Sequence, residues 1–461
     1  MNQLPYDKTS KKSIENYAIK LKGKTFKDVL DNDPNLTNED RSLLYEYYNN
    51  SKSKGGLGNL IEEHYFFYKP NSDSRADFNE AGIELKVTPY LINKNHTLRA
   101  KERLVLTMID YMNDYKDEFE SSHMYQKCAL MLLVYYLYDP TKTRIEYLMN
   151  YIKLFQFPES DLEIIKKDYY TIIDKIKRGK AHEISEGDTN YLGACTKGAN
   201  ANSIREQPFN DIVAQQRAFC LKQSYMSYIL NNYIANDNTS YESVIKDSNI
   251  LKEQTLEEYI VEKLSKYYGE DVEALRYKLN IDKPLSNKSF TYDLAKKMLN
   301  VVNDKIEEFE KANIKVKAIR LNKKGMPEEH MSFPTFKYTE IINENWETSE
   351  LYETFSSTKY LFMIYQYTDE NTLIFKKAMF WNVPASDLNT EIKRVWEETV
   401  NRIKNNKYTN LPKTSESPIL HVRPHGRNKK DVYPTPDGKY FKKQCFWFHM
   451  KYIKAQIESE D

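Results

Sequence analysis

The residues of this chain best suited to chemistry lie in Asp77-Phe78-Asn79-Glu80-Ala81-Gly82-Ile83-Glu84-Leu85-Lys86. From Ile83 to Thr88 apolar residues alternate with Glu84, Lys86 and Thr88, the period-2 pattern of a half-buried strand, so Glu84 and Lys86 point to one face. Asn79-Glu80-Ala81-Gly82 has turn composition, and a hairpin there brings Asp77 alongside Glu84. Pro89 is expected to end the strand. Two converging carboxylates form a hard-oxygen site suited to Mg2+, and a neighbouring lysine can orient an attacking water and offset charge at phosphorus. That is the chemistry of a phosphodiesterase. A bare Glu-x-Lys is common in a chain with 29% charged residues. The similar set Asp387, Glu391 and Lys393 runs with helical period into Arg394, Val395 and Trp396 and reads as a solvated helix face.

Other segments must carry partners to that strand. Lys54-Gly55-Gly56-Leu57-Gly58-Asn59-Leu60-Ile61-Glu62 is a glycine-rich turn running into a helix; its backbone N–H groups can approach a phosphate, and the helix carries Glu62 towards the same face. No Gly-Lys-Ser/Thr follows, so it is not a P-loop. Ser121 to Lys127 precedes the apolar run Cys128–Tyr138 and can aim Lys127 back at the strand.

At 461 residues the chain is expected to hold two or more domains. Its 37 Tyr and 20 Phe supply core bulk and rings that can stack on bases. The run Cys128–Tyr138 falls short of the roughly 20 residues of a membrane helix. With a polar N-terminus lacking an apolar signal core, the expected address is the cytoplasm, with no membrane partner. Four dispersed cysteines argue against a zinc site or disulfide framework. Lys and Arg number 68 against 67 Asp and Glu, so a DNA-binding surface must come from local segregation of charge.

Four pairs of segments recur in the same order along the chain. The stretch from Asp77 parallels that from Glu308, Phe119 onward parallels Trp346 onward, Tyr169 onward parallels Val395 onward, and Ala218 onward parallels Tyr440 onward. The expectation is an α/β module used twice: residues 1–234, a polar linker at 235–249, and residues 250–461.

Taken together, the motifs around Lys54–Glu62, Asp77–Lys86 and Glu120–Lys127 resemble the MutH-like endonucleases, and the similarity extends through Ile173–Gly179 to the Phe219 region. The resemblance implies the PD-(D/E)xK nuclease fold, double-stranded DNA as substrate, Mg2+ as cofactor and GATC as the site. It implies Asp77 and Glu84 as metal ligands, Lys86 as catalytic lysine, and Glu62 and Lys127 as auxiliary active-site residues. DNA contacts are implied for Lys54 and Gly58, for Lys197 in the base-reading loop Thr196–Asn200, and for Lys222 approaching from the last helix. Cys220 stands where the family has a tyrosine associated with sensing adenine methylation.

The second copy sets Glu308 opposite Asp77, Lys315 opposite Glu84, Lys317 opposite Lys86, and Lys296 opposite Glu62. An ammonium group in place of a ligating carboxylate repels the cation, so this copy is expected to be degenerate. Pro418 to Lys451 carries eight Lys and Arg against two acidic residues, with aromatics interleaved. Arg423, Arg427, Lys429, Lys430, Lys442 and Lys443 are the expected DNA contacts there. His421 and His425 lack the ligand spacing of an HNH nuclease. The combined expectation is a type II restriction endonuclease whose C-terminal half binds a second DNA copy as an allosteric effector, alongside a cognate DNA methyltransferase with no stable complex. Alternatives are a mismatch-repair nickase and a non-catalytic DNA-binding regulator.

Overall fold

The apolar run expected as a buried element becomes the centre of a sheet. A computed structural model describes residues 4–50, 56–68, 75–198, 203–235, 240–369 and 371–459. The strands of the first half are β1 (Lys24–Thr25), β2 (Glu84–Ile92), β3 (Leu98–Ala100), β4 (Leu104–Met108), β5 (Met131–Leu137), β6 (Leu148–Phe155), β7 (Leu192–Thr196), β8 (Ile204–Gln207), β9 (Asn210–Gln215) and β10 (Arg217–Leu221). The second half has β11 (Tyr241–Glu242), β12 (Lys305–Ile306), β13 (Ile314–Leu321), β14 (Met331–Phe336), β15 (Lys359–Tyr367), β16 (Leu373–Trp381), β17 (Leu420–Pro424), β18 (Val432–Pro434), β19 (Tyr440–Lys442) and β20 (Gln444–Phe448).

The larger sheet has the order β1-β6-β5-β2-β3. β5 runs parallel to β2 and antiparallel to β6. Its side chains alternate between two cores, Met131, Leu133 and Tyr135 facing one and Leu132 and Val134 the other. Burial on both faces is why the run reads as continuously apolar.

Each half uses the same order of pairings. β13 is parallel to β15, which is antiparallel to β16, as β2, β5 and β6 are arranged. A second, three-stranded antiparallel sheet follows in each half, β4-β10-β7 in the first and β14-β20-β17 in the second. The fold is mixed α/β. No helix among the described residues is long and apolar enough to cross a membrane.

Pro89 does not end its strand. β2 continues to Ile92, and Pro89 stands opposite Tyr136 in the parallel ladder. Leu85 N–H points away from β5, to the Asp77 carboxylate, and the Pro89 carbonyl accepts from Lys101 on that same side. The missing N–H of Pro89 therefore faces the edge that β3 joins only from Tyr90, and no ladder bond to β5 is lost.

The two halves share one of the cores. It runs from Tyr90, Leu133 and Tyr135 through Ile164, Ile172 and Ile176 of the helix Glu159–Lys177 to Leu361, Met363 and Phe375 of the second half. Many of the tyrosines are spent here rather than at the surface: Tyr135, Tyr169, Tyr191, Tyr225 and Tyr365 are fully buried. Residues 240–249 are packed too, with β11 parallel to β12 and Val244 buried.

Charged groups cross this junction. Lys311, 2% exposed, donates to Asp161 Oδ1 at 2.6 Å and lies over the Tyr228 ring at 4.6 Å. Lys359 pairs with Glu257 and donates to Asn190 Oδ1 at 3.1 Å. Arg103 joins Glu186 to Glu353. Removing one partner of a buried pair leaves an uncompensated charge, so Lys311→Met is expected to lower stability by about 3–5 kcal/mol. Lys311→Met with Asp161→Leu should recover much of it. Denaturant unfolding of the single and double variants measures this, and a single variant as stable as the parent would contradict it.

Candidate active site

Asp77 and Glu84 meet through a tight turn. Phe78 and Ile83 form an antiparallel bridge, Ala81 N–H donates to Phe78 O, and Gly82 adopts φ +65°, a conformation that glycine enters without a Cβ penalty. Asp77 N–H donates to Glu84 Oε2 at 3.3 Å, while Asp77 Oδ2 accepts from Leu85 N–H at 2.8 Å. The expected hairpin is therefore a single bridge and turn, and it delivers the two carboxylates to one point.

Two lysines close on Glu84, which is 5% exposed. Lys86, on the same strand face, donates from Nζ to Oε1 at 2.9 Å. Lys127 donates from Nζ to Oε2 at 3.1 Å and to the Arg75 carbonyl at 2.7 Å. A 3-10 turn, Phe119–Ser121, and the short helix His123–Gln126 position Lys127. Ser122 caps that helix, its side chain accepting from Tyr125 N–H, and Phe119 and Met124 anchor the segment in the core.

Glu62 arrives from the helix Gly56–His64. Leu57, Leu60 and Ile61 bury one stripe of it against the core that contains Leu85 and Leu132, leaving Glu62 towards the carboxylates. Burial first, then the negative charges of Asp77 and Glu84, push the Glu62 carboxyl up to about 7. Asp77 is pushed up to about 6 by burial and then by Glu84, with the Leu85 N–H, Lys127 and Lys86 holding it down.

Among the described residues no three His, Cys, Asp or Glu side chains form a ready metal cage. The donor set nevertheless fits a small hard cation, which takes one or two carboxylates and keeps much of its water. Three carboxyl groups face two ammonium groups, and burial, then the neighbouring carboxylates, raises Asp77 and Glu62.

The expected DNA contacts fare unequally. Lys54 lies outside the described residues. Gly58 sits in the first turn of its helix, half-buried, with open space where a Cβ would stand. Lys197 follows β7 and is exposed, its N–H donating to Gln216 O. Lys222 is a correction. It is 1% exposed and donates from Nζ to Thr189 O at 2.6 Å, inside the junction between the halves. Burial and the neighbouring Lys359 lower it to about 8. A side chain so enclosed does not reach DNA; it satisfies the turn that leads into β7.

In the second half Arg423, Arg427, Lys429, Lys430 and Lys442 are exposed on and between β17, β18 and β19. Lys443 is half-buried against the Tyr433 ring and paired with Asp431 at 2.5 Å. The set Asp387, Glu391 and Lys393 is helical, with Arg394 bound to Glu391. Glu308 is buried and accepts from Val244 N–H and Ser243 Oγ. Lys315 is exposed, and Lys317 lies over the Phe333 ring. Cys220 is fully buried beside Glu186.

Sequence reasoning overlooked Tyr68. Its hydroxyl is buried within electrostatic reach of these carboxylates and has no hydrogen-bond partner among the described residues, and a tyrosine in a tyrosine-rich chain carries no mark that sets it apart.

The family model described as "MutH: DNA mismatch repair enzyme MutH" matches residues 66–168 and 299–394. The chain belongs to the MutH family, and it is an enzyme, a site-specific deoxyribonuclease. It is similar to "Type II restriction enzyme Sau3AI" of Staphylococcus aureus, 36% identical over 458 residues that cover 88% of this chain and 93% of that one.

Asp77 and Glu62 hold protons more tightly folded than unfolded, so between their ordinary values, 3.8 and 4.5, and about 6 and 7 the unfolded chain binds fewer protons. Stability should fall as pH rises through that window, and an added divalent cation should offset the loss. Thermal melting with and without Ca2+ should show a larger stabilisation at about pH 8 than at about pH 5. Equal shifts at both would contradict this charge balance.

Proposed function

We propose that the chain is a two-module type II restriction endonuclease that cuts double-stranded DNA at GATC with Mg2+, residues 1–234 cutting and residues 250–461 binding a second DNA copy. The observation that carries the cutting half is the convergence of Asp77, Lys86 and Lys127 on Glu84.

Asp77 and Glu84 would hold the cation. When bound, it supplies charge stabilisation at the phosphorus centre and a more acidic water. Lys86 fixes Glu84 Oε1 and presents an ammonium group on the strand face where the phosphate arrives. Lys127 holds Oε2 and ties it to the Arg75 carbonyl, so Glu84 is clamped on both oxygens before substrate enters. Glu62, with a carboxyl near neutrality, can accept a proton at working pH. Charge preorganised in this way needs no rearrangement as the transition state forms.

Several observations support a degenerate second module. The strand pairings repeat, and the family match has a second segment at 299–394. Lys315 stands where Glu84 would be, and Glu308 is engaged by residues 243–245. Its exposed basic strands suit phosphates. A route to the first half exists through Lys359 and Asn190; Asp168 accepts from the N–H groups of Asn190, Tyr191 and Leu192, where β7 begins, and β7 ends at the Thr196–Gly198 loop. A cognate methyltransferase protecting the same site belongs to this reading, without a stable complex.

Incubation with Mg2+ and unmethylated plasmid should give linear product with ends mapping to GATC, whereas nicked circles alone would favour a strand-nicking repair enzyme. Asp77→Ala and Lys86→Ala should each slow cleavage by about 100-fold or more. Unchanged cleavage in Asp77→Ala would sink the assignment. A two-site plasmid should be cut faster than a one-site plasmid, and equal rates would remove the effector role.

A further inference from the structure

The chain leaving the helix Gly56–His64 turns at Phe67 with φ +58°, a left-handed conformation that is costly for a bulky residue. The turn sets the next residue, Tyr68, within electrostatic reach of Asp77, Glu62 and Glu84. Tyr68 N–H donates to the Glu62 carbonyl at 3.1 Å, and its ring packs edge-on against Phe78, the neighbour of Asp77, with centroids 5.3 Å apart. Backbone and ring are thus both tied to residues that carry the site.

The Tyr68 hydroxyl is buried and has no hydrogen-bond partner among the described residues. An unpaired buried hydroxyl is destabilising, and phenylalanine would fill the same space without that cost. The unpaired hydroxyl and the strained turn fall on adjacent residues beside three carboxyl groups. Burial, followed by the charges of Asp77 and Glu62, pushes the phenol well above the ordinary tyrosine range, so it is a protonated donor throughout the working range.

We propose that Tyr68 is a positioning residue of the cation site: its hydroxyl donates a hydrogen bond into the shell of water and carboxylate oxygens around a divalent ion held by Asp77 and Glu84. This rests on the reading of Asp77 and Glu84 as the ligands. Such an outer partner orients what it touches and sharpens affinity without contacting the ion. Lys86 and Lys127 clamp Glu84; Tyr68 acts on the opposite, Asp77–Glu62 side.

The test is direct Mn2+ binding to the full chain, without DNA, by titration calorimetry, with melting temperatures measured in parallel. Tyr68→Phe keeps the ring and removes only the hydroxyl. Tyr6→Phe is the packing control, since Tyr6 donates to Phe66 O in the same aromatic cluster. Tyr68→Phe should bind Mn2+ about tenfold or more weakly and, without the ion, melt at or above the parent's temperature, while Tyr6→Phe keeps the parent's affinity. Parent-like affinity in Tyr68→Phe overturns the proposal, as does an equal loss in both tyrosine variants. Asp77→Asn separates the two levels: if it binds Mn2+ as tightly as the parent, the ligand assignment fails and Tyr68's role fails with it. If Asp77→Asn loses binding and Tyr68→Phe does not, only the role of Tyr68 is rejected.

Discussion

Two carboxylates drawn into one partly buried place repel each other unless positive charge joins them. Asp77 and Glu84 are in that position, and much of the first half can be understood as what makes it tolerable. The turn through Gly82 forces the approach, and β2 presents Lys86 on the same face. The Phe119–Lys127 segment, anchored in the core, brings a second ammonium group. Compensation stops short of neutrality, because Glu62 adds a third carboxyl. A pocket with excess negative charge and fixed oxygens is half of a cation site; in the proposed reading, the incoming ion and the DNA phosphate complete the balance.

Local periodicity makes this site legible in the sequence alone. Alternation from Ile83 to Thr88 put Glu84 and Lys86 on one face, and the composition of Asn79–Gly82 put Asp77 beside them; both are properties of neighbouring residues. Lys127 and Glu62 were harder to read, since each approaches from another element, and there the family resemblance supplied what spacing could not. Pro89 misled because its effect depends on which edge its missing N–H faces, a fact of tertiary structure. Lys222 misled because the family resemblance put it near the DNA, whereas here a buried carbonyl and a nearby carboxylate, Asp168, hold it inside. Tyr68 left no trace in the pattern at all.

The junction between the halves was equally hidden. Lys311, Lys359 and Arg103 are unremarkable in a chain rich in charge, yet each crosses the shared core to a partner far away in sequence. Buried pairs of this kind hold a specific geometry more than they add stability. In the proposed division of labour they hold the effector half against the cutting half. In that proposed division the missing carboxylate at Lys315 would leave one half with the cation and the other with the phosphate contacts.

Locating the ion decides whether Asp77 and Glu84 hold it. With Fe2+ in place of Mg2+, ascorbate and peroxide generate hydroxyl radicals at the metal, and the chain is cleaved beside it; mass spectrometry maps the cuts. Cuts are expected within residues 56–68 and 75–90 and near Lys127, competed away by Mg2+ and lost in Asp77→Asn. Cuts clustered around residues 308–320, or a pattern unchanged in Asp77→Asn, would contradict that assignment.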